Sequence, residues 1–343
     1  MVNLEASEIT SDNLLSPRQL LMETRREKAR QLLQEWGKHS LSYLMLNPDN
    51  RLFFESTGQA FVAYRVNFGA AITVGDPTGQ PEAIKRCISE FSAACRRKRW
   101  VPVFFSIEKP HRHYRTLGYK GVQVAEDAAI ELALLEFKGK NWQDVRTSLN
   151  RANREEIQFC RFMPGNNEIT AQFRQISREW VRNKNMPELG FTLGTIASLL
   201  NSEVRCYYAI DKTGKVHGMV SWLPRYTANG WTLDLMRRRN EAMPGIMEFL
   251  IARSALTFRE EGYSAISLGA SPLTTVNKQE DMLSAGWLLK QVKHYLHNYY
   301  DFEGLHDFKR KFLPTWKPLY AFYPGGIGLT QGGLAILRLY LSN

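Results

Sequence analysis

A carboxylate and an arginine lie close together in an apolar part of the sequence. Asp234 is flanked by Leu233 and Leu235, and Arg237 follows three residues later. A charged carboxylate in an apolar strand is costly unless it is paired or takes part in chemistry. Asp234 is therefore the leading candidate for a general base or for an anchor of a substrate amino group. A structural ion pair with a neighbouring arginine is the alternative.

The spacing of Asp234 and Arg237 sets a geometric condition. A guanidinium suits a phosphate or a developing negative charge, because it presents several donors in one plane. In a regular strand, however, side chains alternate between the two faces, so positions 234 and 237 would point in opposite directions. We predict that the strand ends or bulges between them, which would allow both residues to serve one pocket. Arg238 and Arg239 continue this basic run as loop charges, useful for phosphate but not specific.

A second basic pair, Lys309 and Lys311, lies in a predicted short helix over 303–312. Either ammonium group could bind an anionic substrate, and a solvated helix end is the alternative for Lys311. Glu303 begins the same segment, and its spacing alone indicates no role. The acidic pair Glu126-Asp127 falls where the first predicted unit ends, in a loop that could attract a cationic aminoacyl group. A solvated acidic turn is the simpler interpretation of that pair.

Hydrophobic periodicity predicts the elements that carry these residues. After a polar start, the first unit reads as a mixed α/β unit with helices at 18–36, 81–94 and 111–117 and strands at 51–54, 59–66, 70–74, 101–107 and 129–135. The second unit reads as helices at 168–184, 195–200 and 245–261 with strands at 204–210, 216–224, 230–235 and 265–268. The predicted domains are a polar segment with a helix over 1–40, a first domain over 41–137, a basic connecting helix over 138–160 and a second, catalytic domain over 161–343.

The connecting helix is predicted over 141–158, with Arg146, Asn150 and Arg154 at i, i+4 and i+8 on one face. In the second unit, a strand ending at 235 or 236, a loop over 237–244 and a helix from 245 follow the order of the N-acetyltransferase (GNAT) fold. Acetyl-CoA users have a glycine-rich loop there, whose N–H groups wrap a pyrophosphate. This loop has a proline and only one glycine at its end, which argues against coenzyme A.

The composition excludes several classes of protein. The chain has 343 residues, 44% of them hydrophobic, which argues against disorder and suits about two domains. Its 45 Lys and Arg exceed its 34 Asp and Glu, giving a net charge of +11 that predicts an anionic partner. The four cysteines form no CxxC pair, the seven histidines form no HExxH motif, and no apolar run is long enough to span a bilayer. The run Arg96 to Arg99 is interpreted as a solvated helix end without a role.

Several short motifs occur in an order typical of one family. They are Gly75-Asp76-Pro77, Gly139-Lys140 followed by Arg146, Asn150-Arg151 and Arg154-Glu155, Asp234-Leu235-Met236-Arg237, Leu268-Gly269 with Pro272-Leu273, and Phe308-Lys309-Arg310-Lys311-Phe312 with Pro314 and Trp316. Together they resemble the catalytic domain of phosphatidylglycerol lysyltransferases, the family of the multiple peptide resistance factor, over about residues 41–321. Each motif alone is weak, whereas the set in this order is specific.

The resemblance implies an α/β (α+β) fold of two tandem GNAT-like domains joined by a basic helix. It also implies transfer of an aminoacyl group, in the first instance lysyl, from aminoacyl-tRNA to a hydroxyl of phosphatidylglycerol, without a metal or organic cofactor. The aminoacyl transfer would take place at the cytoplasmic face of an anionic membrane. The product would lower the membrane's negative charge and give resistance to cationic antimicrobial peptides. In the family a transmembrane flippase domain precedes the catalytic domain, and this chain contains no such spans.

Residue roles under this resemblance are as follows. The catalytic candidates are Asp234, Arg237 and Lys309; the substrate-binding candidates are Lys311, Glu303, Glu126, Asp127 and Arg238; the candidates for tRNA backbone contact are Arg146, Arg151 and Arg154. Phosphate contacts of that kind position an RNA without reading its sequence. A tandem-GNAT transferase with a peptide or peptidoglycan-precursor acceptor, and a nonenzymatic module that binds RNA or membrane, remain the alternative functions. The sequence does not distinguish lysyl, alanyl and arginyl donors, because pocket contacts decide that selectivity.

Overall fold

The structure is a computed structural model that describes residues 17–110, 112–184, 190–272, 302–326 and 328–341. The helices are α1 (Pro17–Trp36), α2 (Pro81–Arg97), α3 (Arg112–Thr116), α4 (Gln143–Arg154), α5 (Asn167–Lys184), α6 (Ile246–Glu260), α7 (Phe302–Arg310) and α8 (Gly328–Leu341). The strands are β1 (Arg51–Phe54), β2 (Ala60–Asn67), β3 (Ala70–Thr73), β4 (Thr78–Gly79), β5 (Val101–Ile107), β6 (Tyr119–Glu131), β7 (Gln158–Arg161), β8 (Arg205–Ile210), β9 (Val216–Arg225), β10 (Gly230–Arg238), β11 (Ala265–Pro272) and β12 (Thr315–Pro324).

The twelve strands form one continuous sheet in the order β1-β2-β3-β5-β12-β6-β11-β10-β9-β8-β7, with β4 paired to β2 at the side. The pairing pattern repeats on either side of the antiparallel pair β12–β6. On one side, β12 is antiparallel to β5, β5 is parallel to β3, and β3 is antiparallel to β2. On the other side, β6 is antiparallel to β11, β11 is parallel to β10, and β10 is antiparallel to β9. The chain therefore consists of two similar α/β halves, as the sequence predicted.

In each half, the parallel strands stop pairing before they end. We call these two places the first fork, beyond Ile72 and Val103, and the second fork, beyond Thr232 and Ser267. A helix connects the two strands of each fork, α2 in the first half and α6 in the second. In open α/β sheets, ligands bind beyond the carboxyl ends of such strands.

Helices cover both faces of the sheet. In the second half, α6 packs on Val220 and Trp222 of β9, while Phe173 and Ile176 of α5 pack on the opposite face. In the first half, α2 covers one face, and α1 and α8 cover the other. The C-terminal helix α8 packs against β2, β3 and β5. Because β12 also pairs with β5 of the first half, the C-terminal segment completes the first half; the domain boundary at residue 161 stays a prediction.

The element boundaries that matter most for the site differ from the prediction at three places. The strand predicted over 129–135 is β6, which begins ten residues earlier at Tyr119. Its first part is not very apolar, but it is hydrogen-bonded to β12 and then also to β11, and these neighbours lie far away in sequence. The helix predicted to reach residue 158 ends at Arg154, because Glu156 takes a φ of +54° and Gln158 enters β7. The strand predicted to end at 235 or 236 continues to Arg238 against β9.

No helix in the described ranges is both long enough and apolar enough to span a membrane.

Candidate active site at the second fork

The predicted irregularity in the strand that carries Asp234 is confirmed. In the pairing of β10 with β9, Leu233 lies opposite Trp222 and Met236 opposite Val220, so two residues of β10 stand opposite Ser221 alone. This is a β-bulge, which re-aims side chains relative to a regular strand. Leu233 and Met236 pack with the α6 core, whereas the residues of the bulge turn toward the α5 face.

Asp234 is held by donors from two other elements. Its Oδ1 accepts a hydrogen bond from the Gly194 N–H at 2.7 Å, and its Oδ2 accepts one from the Ser221 hydroxyl at 3.3 Å. The Ser221 Oγ in turn accepts the Leu235 N–H at 2.9 Å, which fixes the bulge. A Cβ at Gly194 would lie 2.2 Å from the Asp234 Oδ2, so only glycine permits this approach. The carboxylate is half-buried, ionisable and rigidly oriented.

Arg237 lies on the same face of β10 and is 4% exposed. Its guanidinium donates to the Ser177 hydroxyl of α5 and lies 5.1 Å from the centroid of the Trp180 ring. The bulge therefore brings Asp234 and Arg237 to one face, as the spacing argument required. Burial leaves Arg237 little direct access to a solvent-borne substrate, but a buried positive charge acts strongly on neighbouring charge in a low-dielectric site.

The next two arginines do different work. Arg238 is exposed and makes only a long 3.4 Å contact with the Arg239 carbonyl. Arg239, expected to be a loop charge, instead pairs with Glu179 of α5 at 3.3 Å and donates to the Val216 carbonyl at 2.8 Å. Arg239 therefore links α5 to β9. It is not part of a long loop, because β10 continues farther than predicted. Arg238 stays a prediction for substrate binding.

Lys309 reaches the other strand of the second fork from α7. Its ammonium Nζ donates to the Gly269 and Ala270 carbonyls, each at 2.9 Å, and the residue is 4% exposed. Burial lowers the pKa of Lys309 to about 8, and the nearby negative charge of Asp127 opposes that shift. Gly269, at a φ of +78°, forms the bulge of β11 that turns these carbonyls toward the lysine. Lys309 is therefore no solvated helix end.

Asp127 corrects one expectation from the sequence. It was interpreted with Glu126 as part of a loop, more simply a solvated turn, yet it lies inside β6 and is fully buried. Its Oδ1 accepts the Ser267 hydroxyl at 2.7 Å, while its Oδ2 has no hydrogen-bond partner among the described residues. Ser267 also accepts the Gly269 N–H at 2.9 Å. Asp127 thus lies beneath the β11 bulge, where its charge supports that of Lys309.

Two further acidic candidates are more exposed to solvent. Glu126 is half-buried on β6 and accepts a 3.3 Å hydrogen bond from the Gln123 side chain. Glu303 is exposed in the first turn of α7. Both stay predictions for substrate binding.

Lys311 lies in a different place from Lys309. Its Nζ is 2.7 Å from the Glu248 carboxylate and 3.9 Å from that of Asp144, at the side of an open cleft between α4 and the start of α6. The cleft has a volume of about 460 Å³, and Arg151 contributes the second cation to its lining. Because two carboxylates balance Lys311, this cleft is a weaker anion site than its two cations alone would suggest.

The three arginines chosen for tRNA contact differ in availability. Arg146 donates to the Phe137 and Gly139 carbonyls and so closes the turn before α4. Arg151 makes long contacts, 3.5 Å to the Pro244 carbonyl and 4.0 Å to Glu155. Arg154 is exposed on the last turn of α4. Arg151 and Arg154 are therefore better placed than Arg146 to bind a phosphate.

Sequence reasoning missed the residues that hold the site in place. Ser221, Gly194, Ser177 and Ser267 are small, common residue types at positions without a motif, so no signal in one sequence distinguishes them. Within the described ranges, no group of three or more His, Cys, Asp or Glu side chains could hold a metal ion.

The chain is similar to known proteins over most of its length. The family model described as phosphatidylglycerol lysyltransferase, C-terminal, matches residues 30–323. A phosphatidylglycerol lysyltransferase of Bacillus subtilis is 28% identical over 91% of this chain, and an uncharacterized protein of Corynebacterium glutamicum is 31% identical over 92% of it. The chain spans 37% and 41% of the length of these two relatives.

The solved structure of L-PGS from Bacillus licheniformis superposes with a TM-score of 0.81 at 28% identity, covering 92% of this chain and 96% of that one. A mixed α/β, tandem GNAT-like fold is thereby confirmed.

Proposed function

This chain belongs to the family of the C-terminal domain of phosphatidylglycerol lysyltransferases, and we propose that it transfers an aminoacyl group from aminoacyl-tRNA to the headgroup hydroxyl of phosphatidylglycerol. Lysine is the expected amino acid. One observation carries the proposal: the bulge in β10 presents Asp234, oriented by Gly194 and Ser221, on the same face as Arg237. These two residues of the motif therefore share one face of β10, which supports the proposal.

The reaction is an ester exchange. A bond forms between the headgroup oxygen and the aminoacyl carbonyl carbon, the bond from that carbon to the ribose oxygen of the tRNA breaks, and the hydroxyl proton ends on the ribose oxygen. The donor ester is already activated, so the enzyme must align the partners, move one proton and stabilise an oxyanion. No redox step is involved, and no cofactor is included in the proposal.

The residues of the second fork suit these tasks. Asp234 is placed either to accept the hydroxyl proton or to anchor the amino group of the aminoacyl donor, because its two oxygens are fixed by donors on one side. Arg237 and Lys309 contribute buried positive charge on either side of the gap between β10 and β11. Positive charge in a low-dielectric site stabilises a developing oxyanion more strongly than the same charge in water.

The basic helix α4 supports the choice of donor. Arg154 and Arg151 lie along α4 beside the cleft that opens at the start of α6, on the second half of the molecule. We propose that the tRNA backbone lies along this helix, as a phosphate chain would along exposed arginines. The acceptor would be drawn from the cytoplasmic face of an anionic membrane. The product would lower the negative charge of that membrane and give resistance to cationic antimicrobial peptides, and a flippase domain is the expected partner.

The experiment is a lipid-labelling assay. The purified chain is incubated with separately charged, radiolabelled lysyl- and alanyl-tRNA and with phosphatidylglycerol vesicles, and label extracted into organic solvent is counted. Asp234→Asn is run in parallel, with Asp307→Asn, an exposed carboxylate on α7, as the matched control. We expect lipid label that depends on Asp234 and not on Asp307, with the preferred tRNA naming the donor.

Two outcomes would contradict the proposal. Label that appears instead on an added peptide or peptidoglycan precursor would identify a different acceptor. Absence of label with every charged tRNA, while tRNA and vesicles still bind, would indicate a nonenzymatic binding module.

A further inference from the structure

The helix that packs over the candidate site carries a row of arginines on its outer face. This helix is α5, which packs on β9 and β10, and its Ser177 hydroxyl accepts a hydrogen bond from Arg237. Three arginines of α5, Arg174, Arg178 and Arg182, are all exposed. Residues four apart lie one above another on a helix, so the three form one row with steps of about 6 Å along the helix axis. We call them the α5 arginine row.

The row is unfavourable for the helix that carries it. Arg174 with Arg178, and Arg178 with Arg182, are like charges at i and i+4, and such pairs destabilise a helix. Among the residues that the structure describes, no carboxylate lies within ion-pair distance of any of the three. Glu179, the acidic residue in the same part of α5, pairs with Arg239 at 3.3 Å instead. The charge of the row is therefore available to an external anion.

The make-up of α5 favours a nucleic acid over a bilayer as the source of that anion. All three cations are arginines, and a planar guanidinium can bind one phosphate through two hydrogen bonds. Helices that lie in a membrane interface also insert apolar side chains. The apolar side chains Ile169, Phe173 and Ile176 of α5 are buried in the core, and no large apolar side chain described on α5 is exposed. The row therefore offers phosphate contacts without an apolar surface for lipid.

The row also lies on the face of the sheet where the reaction is proposed. The bulge of β10 turns Asp234 and Arg237 toward α5, and the row is on the far side of this helix. About one helix diameter, roughly 10 Å, therefore separates the row from Arg237. The helix α4, by contrast, packs with α6 on the opposite face of the sheet. The single-stranded 3′ end of a tRNA can thus reach Asp234 more directly from α5 than from α4.

We propose that the α5 arginine row binds the phosphate backbone of the tRNA near its aminoacylated 3′ end and so directs the aminoacyl ester toward Asp234. The inference rests on the proposed function for the identity of the RNA. It adds a second RNA surface to that of α4. Since α4, the edge strand β7 and α5 follow one another in the chain, one large RNA can contact both helices.

Contacts of this kind have a defined kinetic and salt signature. Phosphate contacts position an RNA without reading its sequence, so loss of the row should weaken lysyl- and alanyl-tRNA alike. It should raise KM for the charged tRNA much more than it lowers kcat, because the row touches neither the ester nor the acceptor hydroxyl. Each phosphate contact also releases counterions, so three contacts contribute about 2–3 to the slope of log K against log salt.

The test measures binding of uncharged lysine tRNA to the whole chain by filter retention over a series of salt concentrations. Arg174→Gln/Arg178→Gln/Arg182→Gln removes the row. This variant also loses the two like-charge pairs, so it should melt at the same or a higher temperature than the parent.

Two further variants and one second ligand complete the design. The matched control removes three exposed cations from the end of α2 in the first half, as Arg96→Gln/Arg97→Gln/Lys98→Gln. Arg151→Gln/Arg154→Gln tests the surface on α4 separately. Cosedimentation with phosphatidylglycerol vesicles is measured for every variant.

We expect the α5 variant to bind tRNA on the order of a hundredfold more weakly at about 0.1 M salt, with a salt slope that is smaller by about 2–3. The control should bind tRNA like the parent. Equal losses in the α5 variant and the control would overturn the proposal, because net charge alone would then explain binding. Loss of tRNA binding only in the α4 variant would also overturn it, as would loss of vesicle binding in the α5 variant with tRNA binding intact.

The same measurements separate this inference from the proposed function. If tRNA binding falls as expected in the α5 variant but the parent transfers no label to lipid, the row stands and the proposed function fails. If the parent labels lipid and the α5 variant keeps the tRNA affinity of the parent, the proposed function stands and the row has no part in it.

Discussion

The two forks have the same backbone and different chemistry. At the first fork, two residues of β5, Phe105 and Ser106, stand opposite one residue of β12, and Ser106 takes a φ of +62°. At the second fork, two residues of β11 stand opposite one residue of β6, and Gly269 takes a φ of +78°. An aspartate lies just beyond the last parallel pair at each fork: Asp76 follows β3, and Asp234 lies within β10. The same construction is thus used twice.

The charges around the two aspartates differ. At the first fork, His39 lies 4.0 Å from Asp76 and 3.9 Å from Glu108, while its Nδ1 accepts the Leu41 N–H and its Nε2 donates to the Ser106 carbonyl. Among the residues that the structure describes, Asp76 Oδ1 and Glu108 Oε1 are buried and have no hydrogen-bond partner. Burial raises the pKa of Asp76 to about 6; the nearby His39 opposes this rise, and the charge of Glu108 adds to it.

The second fork instead gives its carboxylates donors from Gly194, Ser221 and Ser267, and it has two buried cations, Arg237 on β10 and Lys309 on α7. The difference indicates that a shared backbone bulge does not make a reaction site by itself. What distinguishes the second fork is buried positive charge beside an oriented carboxylate, which suits an oxyanion reaction. The first fork holds an acid that is easily protonated.

The largest expected effect separates the two aspartates by activity. Asp234→Asn should lower the rate of aminoacyl transfer by about 10²–10⁴-fold, since an amide can neither accept the proton nor pair with an ammonium group. Asp76→Asn should leave the rate within about threefold of the parent, because the first fork is given no step. Initial rates of lipid labelling at saturating charged tRNA measure both. Equal losses in the two variants would mean that the forks act as one site.

The next effect concerns the buried pair at the second fork. Asp127→Asn should lower the free energy of unfolding by about 3 kcal/mol at pH 7, because Lys309 then keeps a buried charge without its opposing carboxylate. The pKa of Lys309 is already lowered to about 8 in the folded protein. Below that pH the lysine is charged in both the folded and the unfolded state, and its burial lowers the free energy of unfolding. That penalty is relieved as the pH rises from about 8 toward the ordinary value of 10.5. Urea denaturation at pH 7 and at pH 9.5 should therefore show a smaller loss at the higher pH.

Ser267→Ala is the control for this pair. It removes the 2.7 Å hydrogen bond to Asp127 and the 2.9 Å hydrogen bond from the Gly269 N–H but no charge, so it should cost about 2–3 kcal/mol, equally at both pH values. A loss in Asp127→Asn that is the same at pH 7 and pH 9.5 would show that the charge of Lys309 is not what Asp127 supports.

The first fork should respond to pH in the opposite sense. The pKa of Asp76 is about 6 when folded and ordinarily 3.8, so the folded state favours the protonated acid. The stability that this provides is complete below about pH 4 and is lost as the pH rises through 6. Asp76→Asn has no carboxyl group to ionise, so this variant does not lose stability as the pH rises. Its amide oxygen can still accept the Glu108 N–H. We expect it to raise the free energy of unfolding by roughly 1–3 kcal/mol at pH 7.5 and by little at pH 4.

Urea denaturation at these two pH values measures the effect. Glu90→Gln, which changes a half-buried carboxylate hydrogen-bonded to Ser56 in the β1–β2 turn, is the control and should show no such pH dependence. A destabilised Asp76→Asn at pH 7.5 would indicate that the carboxylate of Asp76 is charged and stabilised by a contact with a cation.

Sequence reasoning reached the repeated α/β order and the bulge at Asp234 for a physical reason. Strand alternation places residues 234 and 237 on opposite faces, and the family motif requires them on one, so an irregularity was the only solution. The prediction failed for Asp127, because the burial of that residue depends on β11 and β12, which lie about 140 and 190 residues later in the chain. The polar residues around Asp127 indicated a loop, whereas pairing with distant strands places Asp127 in the centre of the sheet.

The first fork was missed for a related reason. Gly75-Asp76-Pro77 reads as a turn, and His39 has no motif around it, yet the fold brings His39, Asp76 and Glu108 together from three separate segments. Each contact joins residues more than 30 positions apart, so one sequence carries no local signal for the cluster.

The smallest effects test whether the two bulges are equally strained. Ser106 is a residue with a side chain in a left-handed conformation, so Ser106→Gly should raise the free energy of unfolding by up to about 1 kcal/mol. Gly269→Ala should lower it by about 1 kcal/mol, and through backbone strain alone, because a Cβ there would be 3.5 Å from the Leu233 carbonyl and 4.0 Å from the Lys309 Nζ. Thermal unfolding of both single variants and of the double variant would show the two changes adding. If Gly269→Ala lowers the free energy of unfolding by much more than about 1 kcal/mol, the Lys309 contacts with the bulge depend on this glycine. Only the second fork would then couple its bulge to its charge.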